Sequence, residues 1–182
     1  MKIKYYYLHI LGGSRQSTKF TELQKEYKNI ECLEWEVTAD CQYISNLIIS
    51  WQNQILVLYE QYDVVCIIAN STGANFALQL KELLKPNFIH LVLINPLLDL
   101  VCLFDKSIMP KILLPSIIKT IKFNGVLILI AKNDSVIDNV NFLHHNQFIK
   151  NNNHIIIDTI STHKFESMHK YYKEIESYIH GV

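Results

Sequence analysis

The chain is predicted to fold as an α/β protein, a three-layer α/β/α sandwich around a mostly parallel sheet, and three observations predict it. Val64 to Ala69, Phe88 to Ile94 and Gly125 to Ala131 are continuous apolar runs rich in β-branched residues, the pattern of strands buried on both faces. Stretches of helical period separate these runs, and such alternation marks crossover connections between parallel strands. The 182 residues are 49% hydrophobic and contain no linker, repeat or low-complexity segment, enough for one domain with a single buried core.

Each element follows from its own pattern. Lys2 to Leu11 is predicted as the first strand, closing on His9-Ile10-Leu11-Gly12-Gly13-Ser14. Two glycines there allow a turn with inward-pointing N–H groups, compatible with an anion nest, half of an oxyanion hole or a plain strand-to-helix loop. A helix is predicted from Ser17 or Thr18 to Tyr27, with Phe20, Leu23 and Tyr27 on one face. Ile30 to Val37 is a short strand, and Tyr43 to Tyr62 a long amphipathic helix burying Ile44, Leu47, Ile48, Trp51, Ile55, Leu58 and Tyr59. The run from Val64 turns at Asn70-Ser71-Thr72-Gly73 into a helical pattern that reaches Leu84. Pro86 ends that pattern, and the strand Phe88 to Ile94 closes on Asn95-Pro96.

From Leu97 to Phe123 the apolar residues come in clumps broken by Pro110 and Pro115. This fits a small helical lid or insertion over the strand ends, and it fits an ordinary crossover helix with irregular ends equally well. Gly125 to Ala131 leads through Lys132-Asn133-Asp134-Ser135-Val136-Ile137-Asp138 to a helix ending near Phe148. His154 to Ile160 is the last strand, followed by Ser161-Thr162-His163-Lys164-Phe165 and a final helix from Glu166 to His180 with Met168, Tyr172, Ile175 and Ile179 facing inward.

Composition removes several functional classes. Seventeen basic and seventeen acidic residues cancel, and no basic tract stands out, which argues against nucleic acid or anionic membrane as a partner. The N-terminal run is interrupted by His9 and lacks a small-residue cleavage site, so it reads as a strand and not as a secretory signal. No apolar run approaches the ~20 residues of a membrane span. Cys32, Cys41, Cys66 and Cys102 are scattered without a C-x-x-C pair or ligand spacing, as expected of free thiols in a reducing cytosol. His144 and His145 are helix neighbours that face different ways, a poor metal pair. Neither G-x-G-x-x-G nor a phosphate-loop lysine motif is present. No metal and no cofactor are expected.

The chemistry concentrates at Ser71. Ala69-Asn70-Ser71-Thr72-Gly73 is a G-x-S-x-G motif with alanine at its first position, set between a buried strand and a helix. A serine at such a turn stands above the carboxyl edge of a parallel sheet, with the N–H of Thr72 beside it as an oxyanion donor. The same serine could simply be the N-cap of the helix from Thr72. Downstream, Asp134 follows the strand ending at Ala131 and His163 follows the last strand, so serine, aspartate and histidine occur in the order of α/β-hydrolases. Asp138, four residues beyond Asp134, is the competing acid, placed second because Asp134 directly follows the strand. His169 lies further into the last helix, and His9 closes the first strand, where packing or hydrogen bonding near the site is expected of it.

At these residues the chain resembles the small YqiA-like esterases of bacteria, members of the α/β-hydrolase superfamily. The resemblance covers nearly the whole length and rests on His9 to Ser14, Ala69 to Gly73, Leu91-Val92-Leu93-Ile94-Asn95-Pro96, Asn133 to Asp138 and Thr162-His163-Lys164-Phe165. Ala69 and Ile10 depart from it, each standing where those esterases keep glycine. The resemblance implies a serine esterase or thioesterase acting on a small or acyl-chain ester without metal or cofactor; a cytoplasmic protein, monomeric or weakly dimeric, is expected. Ser71 would be the nucleophile, His163 the general base and Asp134 its orienting acid, with the N–H groups of Leu11 and Thr72 holding the oxyanion. A hydrolase-fold protein that has lost activity and binds a small molecule or a protein is the other reading, favoured by Ile10 and Ala69.

Overall fold

A computed structural model describes residues 1–118 and 122–181. Its centre is one sheet of six strands, β1 (Ile3–Leu8), β2 (Glu31–Leu33), β3 (Val64–Asn70), β4 (Ile89–Ile94), β5 (Leu127–Ala131) and β6 (His154–Asp158). Every neighbouring pair is parallel, in the order β2-β1-β3-β4-β5-β6. All six carboxyl ends therefore meet along one edge, and ligands of open parallel sheets bind at that edge. The helices are α1 (Thr18–Glu26), α2 (Cys41–Leu56), α3 (Thr72–Glu82), α4 (Asn139–His145), α5 (Gln147–Asn152) and α6 (Tyr172–His180).

Strand residues alternate between two cores. Tyr6, Leu8, Val65, Ile67, Ala69, Leu91, Leu93, Ile128 and Ile130 pack with the buried residues of α2 and α3 on one face. Tyr5, Tyr7, Cys66, Ile68, Val92, Ile94, Leu127 and Leu129 pack with those of α1 and α6 on the other. Because both faces are covered, β3 is buried along its whole length. These are the layers that the apolar runs predict, a three-layer α/β/α sandwich around a parallel sheet.

Several boundaries differ from prediction, three of them because a polar side chain diverts the backbone. β1 stops at Leu8 because the carbonyl of His9 is taken by the Trp35 indole N–H at 3.1 Å, and the Trp35 main-chain N–H donates to His9 Nε2 at 3.3 Å. β6 stops at Asp158, whose carboxylate accepts the N–H groups of Ile160 at 2.6 Å and Ser161 at 2.7 Å. The helix predicted to run to Phe148 is divided into α4 and α5 by Asn146, which ends the first and caps the second. α2 ends at Leu56 and not at Tyr62, its successors turning with i→i−3 bonds such as Leu58 N–H to Ile55 O at 3.0 Å. The final helix begins at Tyr172, after a 3₁₀ turn over Met168–Tyr171.

The candidate lid segment, 97–123, lies outside the described residues at 119–121. Its described part contains three 3₁₀ turns, Leu100–Cys102, Lys106–Ile108 and Leu114–Ser116. Leu97, Leu98, Leu103, Met109, Leu113 and Ile117 are buried in the core with α2 and α3, while Val101, Phe104, Ile108 and Ile112 face outward.

Candidate functional site at the carboxyl edge of the sheet

Ser71 leaves β3 with φ 53° and ψ −115°, a conformation that L-residues rarely hold. Its side chain makes no capping bond to α3, so the N-cap role open to it from sequence is not the one it plays. The backbone is held on both sides: Ser71 N–H donates to Ile94 O at 2.9 Å, and Leu97 N–H donates to Ser71 O at 3.0 Å. Gly73, the last glycine of the motif, sits where a Cβ would lie 2.5 Å from His9 O and 2.7 Å from Leu8 O. That close approach packs the start of α3 directly on the end of β1. Ala69 has no exposed surface and lies inside the sheet opposite Leu8 and Leu93.

The β1 loop is a tight turn. Gly13 N–H donates to Ile10 O at 2.9 Å, and Gly12 takes φ 71°. No backbone hydrogen bond among the described residues uses the N–H of Leu11 or of Thr72. The Leu11 side chain packs against the α2/α3 core, and Leu11 and half-buried Ile10 both line a cavity of about 450 Å³ on the α1 side. His9 stacks on Trp35 with ring centroids 5.1 Å apart. Its Nε2 accepts from Trp35 and its Nδ1 lies 2.9 Å from Ile10 O, so the ring is neutral with its proton on Nδ1. Burial pushes its pKa below the ordinary value, with only partial opposition from the Ile10 carbonyl and Glu34.

Beyond the carboxyl ends of β5 and β6, His163 and Asp134 meet. His163 Nδ1 lies 2.8 Å from Asp134 Oδ2, and both side chains are largely buried, at 13% and 2% exposure. The other oxygen, Oδ1, accepts the N–H groups of Val136 at 2.8 Å and Ile137 at 3.0 Å. A carboxylate so held takes a proton donated from Nδ1 and leaves Nε2 with the free lone pair. Asp138 does something different: it caps α4 through Asn141 N–H at 3.1 Å, and its own N–H donates to Cys102 O at 2.7 Å. The structure contains no hydrogen bond between Ser71 Oγ and His163. His169 is exposed on the 3₁₀ turn before α6.

The loop carrying His163 is heavily anchored by residues to which no sequence motif drew attention. Asp158 accepts from Ser167 Oγ and, at 2.8 Å, from Tyr171 Oη, besides its two main-chain donors. Burial alone would raise the Asp158 pKa, but these donors outweigh it and hold the carboxyl well below the usual range. Lys19 Nζ reaches the Phe165 carbonyl at 2.5 Å, and Glu166 receives the N–H and hydroxyl of Thr162 at 2.9 and 2.7 Å. Burial lowers the Lys19 pKa against the pull of Glu22. The one available sequence signal was an aspartate ending a strand two and three residues ahead of the N–H groups it accepts, the same spacing as at Asp134.

The 450 Å³ cavity is lined by Ile10, Gly12, Lys19, Asn70 and Lys164 among others, so it borders the residue before Ser71 and the residue after His163. A larger one of about 690 Å³ lies along β6 and α4, includes Asp138, and touches none of Ser71, Asp134 and His163. Among the described residues no cluster of three or more His, Cys, Asp or Glu is placed to hold a metal ion, and no helix is long and apolar enough to cross a membrane.

No protein-family model and no curated protein matches the chain. Solved structures do. A lipase-esterase related protein from Clostridium acetobutylicum superposes with a TM-score of 0.68 at 16% identity, covering 97% of this chain and 94% of its own. A structure from work on carboxylesterases of the thaumarchaeon Nitrososphaera gargenis gives 0.68 at 10%, covering 99% and 92%. The 2-hydroxy-6-oxo-6-phenylhexa-2,4-dienoate hydrolase of Rhodococcus sp. strain RHA1 gives 0.67 at 12%, covering 98% and 91%. At these identities the likeness is one of fold: an α/β-hydrolase matched over almost its full length.

Proposed function

We propose that this protein is a serine hydrolase, a carboxylesterase or thioesterase that cleaves a small or acyl-chain ester through Ser71, His163 and Asp134. The reading rests on two features: Ser71 is strained and uncapped at the end of β3, and a hydrogen-bonded Asp134–His163 pair follows the ends of the parallel strands β5 and β6. Strain of about 1–3 kcal/mol at a residue with no local structural use is a mark of function. Ser71 Oγ would attack the acyl carbon while His163 Nε2 accepts its proton, and the same nitrogen would return that proton to the departing alcohol or thiol. Water would then attack the acyl-enzyme by the same route. Asp134 would keep Nδ1–H pointed at itself and stabilise the imidazolium. The N–H groups of Thr72 and Leu11 would receive the developing oxyanion. A Ser71–His163 hydrogen bond that is long without substrate and tightens with it is common in such sites. The likeness to esterases and hydrolases of the same fold supports the reaction class, and the motifs shared with YqiA-like esterases support the narrower assignment to a small cytoplasmic enzyme.

Active-site labelling tests the reading. A fluorophosphonate should label the protein stoichiometrically, and Ser71→Ala should abolish labelling and the hydrolysis of p-nitrophenyl acetate. Folded wild-type protein that takes no label and hydrolyses no ester would leave it a binding protein on a hydrolase scaffold.

A further inference from the structure

We infer that Asn95, which ends β4, is the positioning residue that ties the Ser71 elbow to the loop carrying His163. Asn95 is fully buried and has a φ of 41°. The residue before a proline is normally driven to extended backbone, and a left-handed asparagine followed by Pro96 persists only where its surroundings hold it there. They do so through both amide hydrogens and the amide oxygen. Oδ1 accepts Ala131 N–H at 2.7 Å at the end of β5, and the two Nδ2 hydrogens go to the carbonyls of Thr162 at 3.1 Å and His163 at 3.0 Å. Its main-chain N–H donates to Leu129 O at 2.8 Å.

The placement of this residue relative to Ser71 gives the inference its content. Besides the Ala74 N–H of its own helix, the backbone of Ser71 bonds to Ile94 and Leu97, the residues that bracket Asn95-Pro96. One side chain therefore fixes the His163 backbone to the segment that fixes Ser71. Asp134 orients the imidazole ring, and Asn95 sets where that ring is mounted. Aspartate at this position would keep an acceptor for Ala131 N–H but set an oxygen against two carbonyl oxygens. Glycine would keep the left-handed backbone and remove the side chain altogether.

This inference rests on the hydrolase reading for its effect on turnover, but its primary test does not. In 15N-labelled protein, the His163 Nδ1–H proton held by Asp134 should give a downfield resonance. Asn95→Asp and Asn95→Gly should broaden or shift it while the far-UV spectrum stays that of the wild type. Turnover of p-nitrophenyl acetate should fall about 10- to 100-fold in kcat, the scale expected for a reacting group misplaced by about 1 Å, with KM within about twofold. Folded variants with an unchanged His163 resonance and wild-type kcat would overturn the inference. So would failure of both variants to fold, since Asn95 would then serve the fold as a whole. A wild type that takes no label would sink the hydrolase reading alone, and the resonance would still decide the role of Asn95.

Discussion

The turns that follow β5 and β6 are built alike and used differently. Each begins at a buried aspartate whose Oδ1 accepts the N–H groups two and three residues on: Val136 and Ile137 for Asp134, Ile160 and Ser161 for Asp158. The second oxygen makes the difference. At Asp134 it meets the ring of His163, and at Asp158 it meets the hydroxyls of Ser167 and Tyr171. The first turn spends its free lone pairs on a titratable ring, and the second spends them on closing the loop that presents that ring. The same local motif thus becomes a partner for a histidine ring or an anchor for a loop according to what the neighbouring segment brings to it.

The largest effect that would break this comparison is expected at Asp134. Asp134→Asn keeps an oxygen for Val136 and Ile137 but turns an amide N–H toward His163 Nδ1, forcing the wrong tautomer. Esterase turnover should fall by about 10⁴-fold with stability changed by no more than about 1 kcal/mol, read from kinetics and denaturant midpoints on the same protein. Equal losses of stability and turnover would make the two turns alike after all.

Asp158→Asn should show the opposite profile, a loss of about 2–3 kcal/mol with turnover affected mainly through loosening of the His163 loop. The sign of its pH dependence follows from the depressed carboxyl. Its contribution is complete above the unfolded-chain value near pH 4 and is lost as pH falls below that toward the folded value. Wild-type stability should therefore decline through this acid range more steeply than that of Asp158→Asn, and parallel curves would remove Asp158 as the anchor.

A smaller effect is expected at His9, on the β1 side of the elbow, where a neutral buried ring replaces a carboxylate as the loop anchor. Its folded pKa lies below the ordinary value near 6.5, so its contribution is present above that pH and is lost as pH falls through it. The unfolding free energy from urea titration should fall more between about pH 7.5 and about pH 5.5 in the wild type than in His9→Gln. The smallest change belongs to Asp138→Asn. Asparagine caps a helix as well as aspartate does, so stability should move by less than about 0.5 kcal/mol and turnover by less than about twofold. A large kinetic loss there would make Asp138 the acid.

The layers of the fold were legible because their signals are local. A strand buried on both faces is apolar at every position, as Val64 to Ala69 is, and a strand–serine–glycine–helix turn declares itself within five residues. Ser71, Asp134 and His163 could be singled out because each lies just past a strand, and parallel strands end at one edge. Three of the errors fall where a polar side chain competes with the backbone for hydrogen bonds. Trp35 shortens β1, Asp158 shortens β6, and Asn146 divides the helix expected to run to Phe148.

By itself the sequence determined the strand and helix alternation, the parallel sheet and the strand ends at which chemistry could sit, since burial pattern and chain order depend on neighbours along the chain. Tertiary structure alone decided which groups share hydrogen bonds: that Asp134 and not Asp138 reaches His163, that Ser71 is strained and uncapped, and that Asn95, Lys19 and Asp158 converge on one loop. Those contacts join residues up to 146 positions apart. A hydrogen bond is decided by angles and tenths of an ångström that no one-dimensional pattern carries.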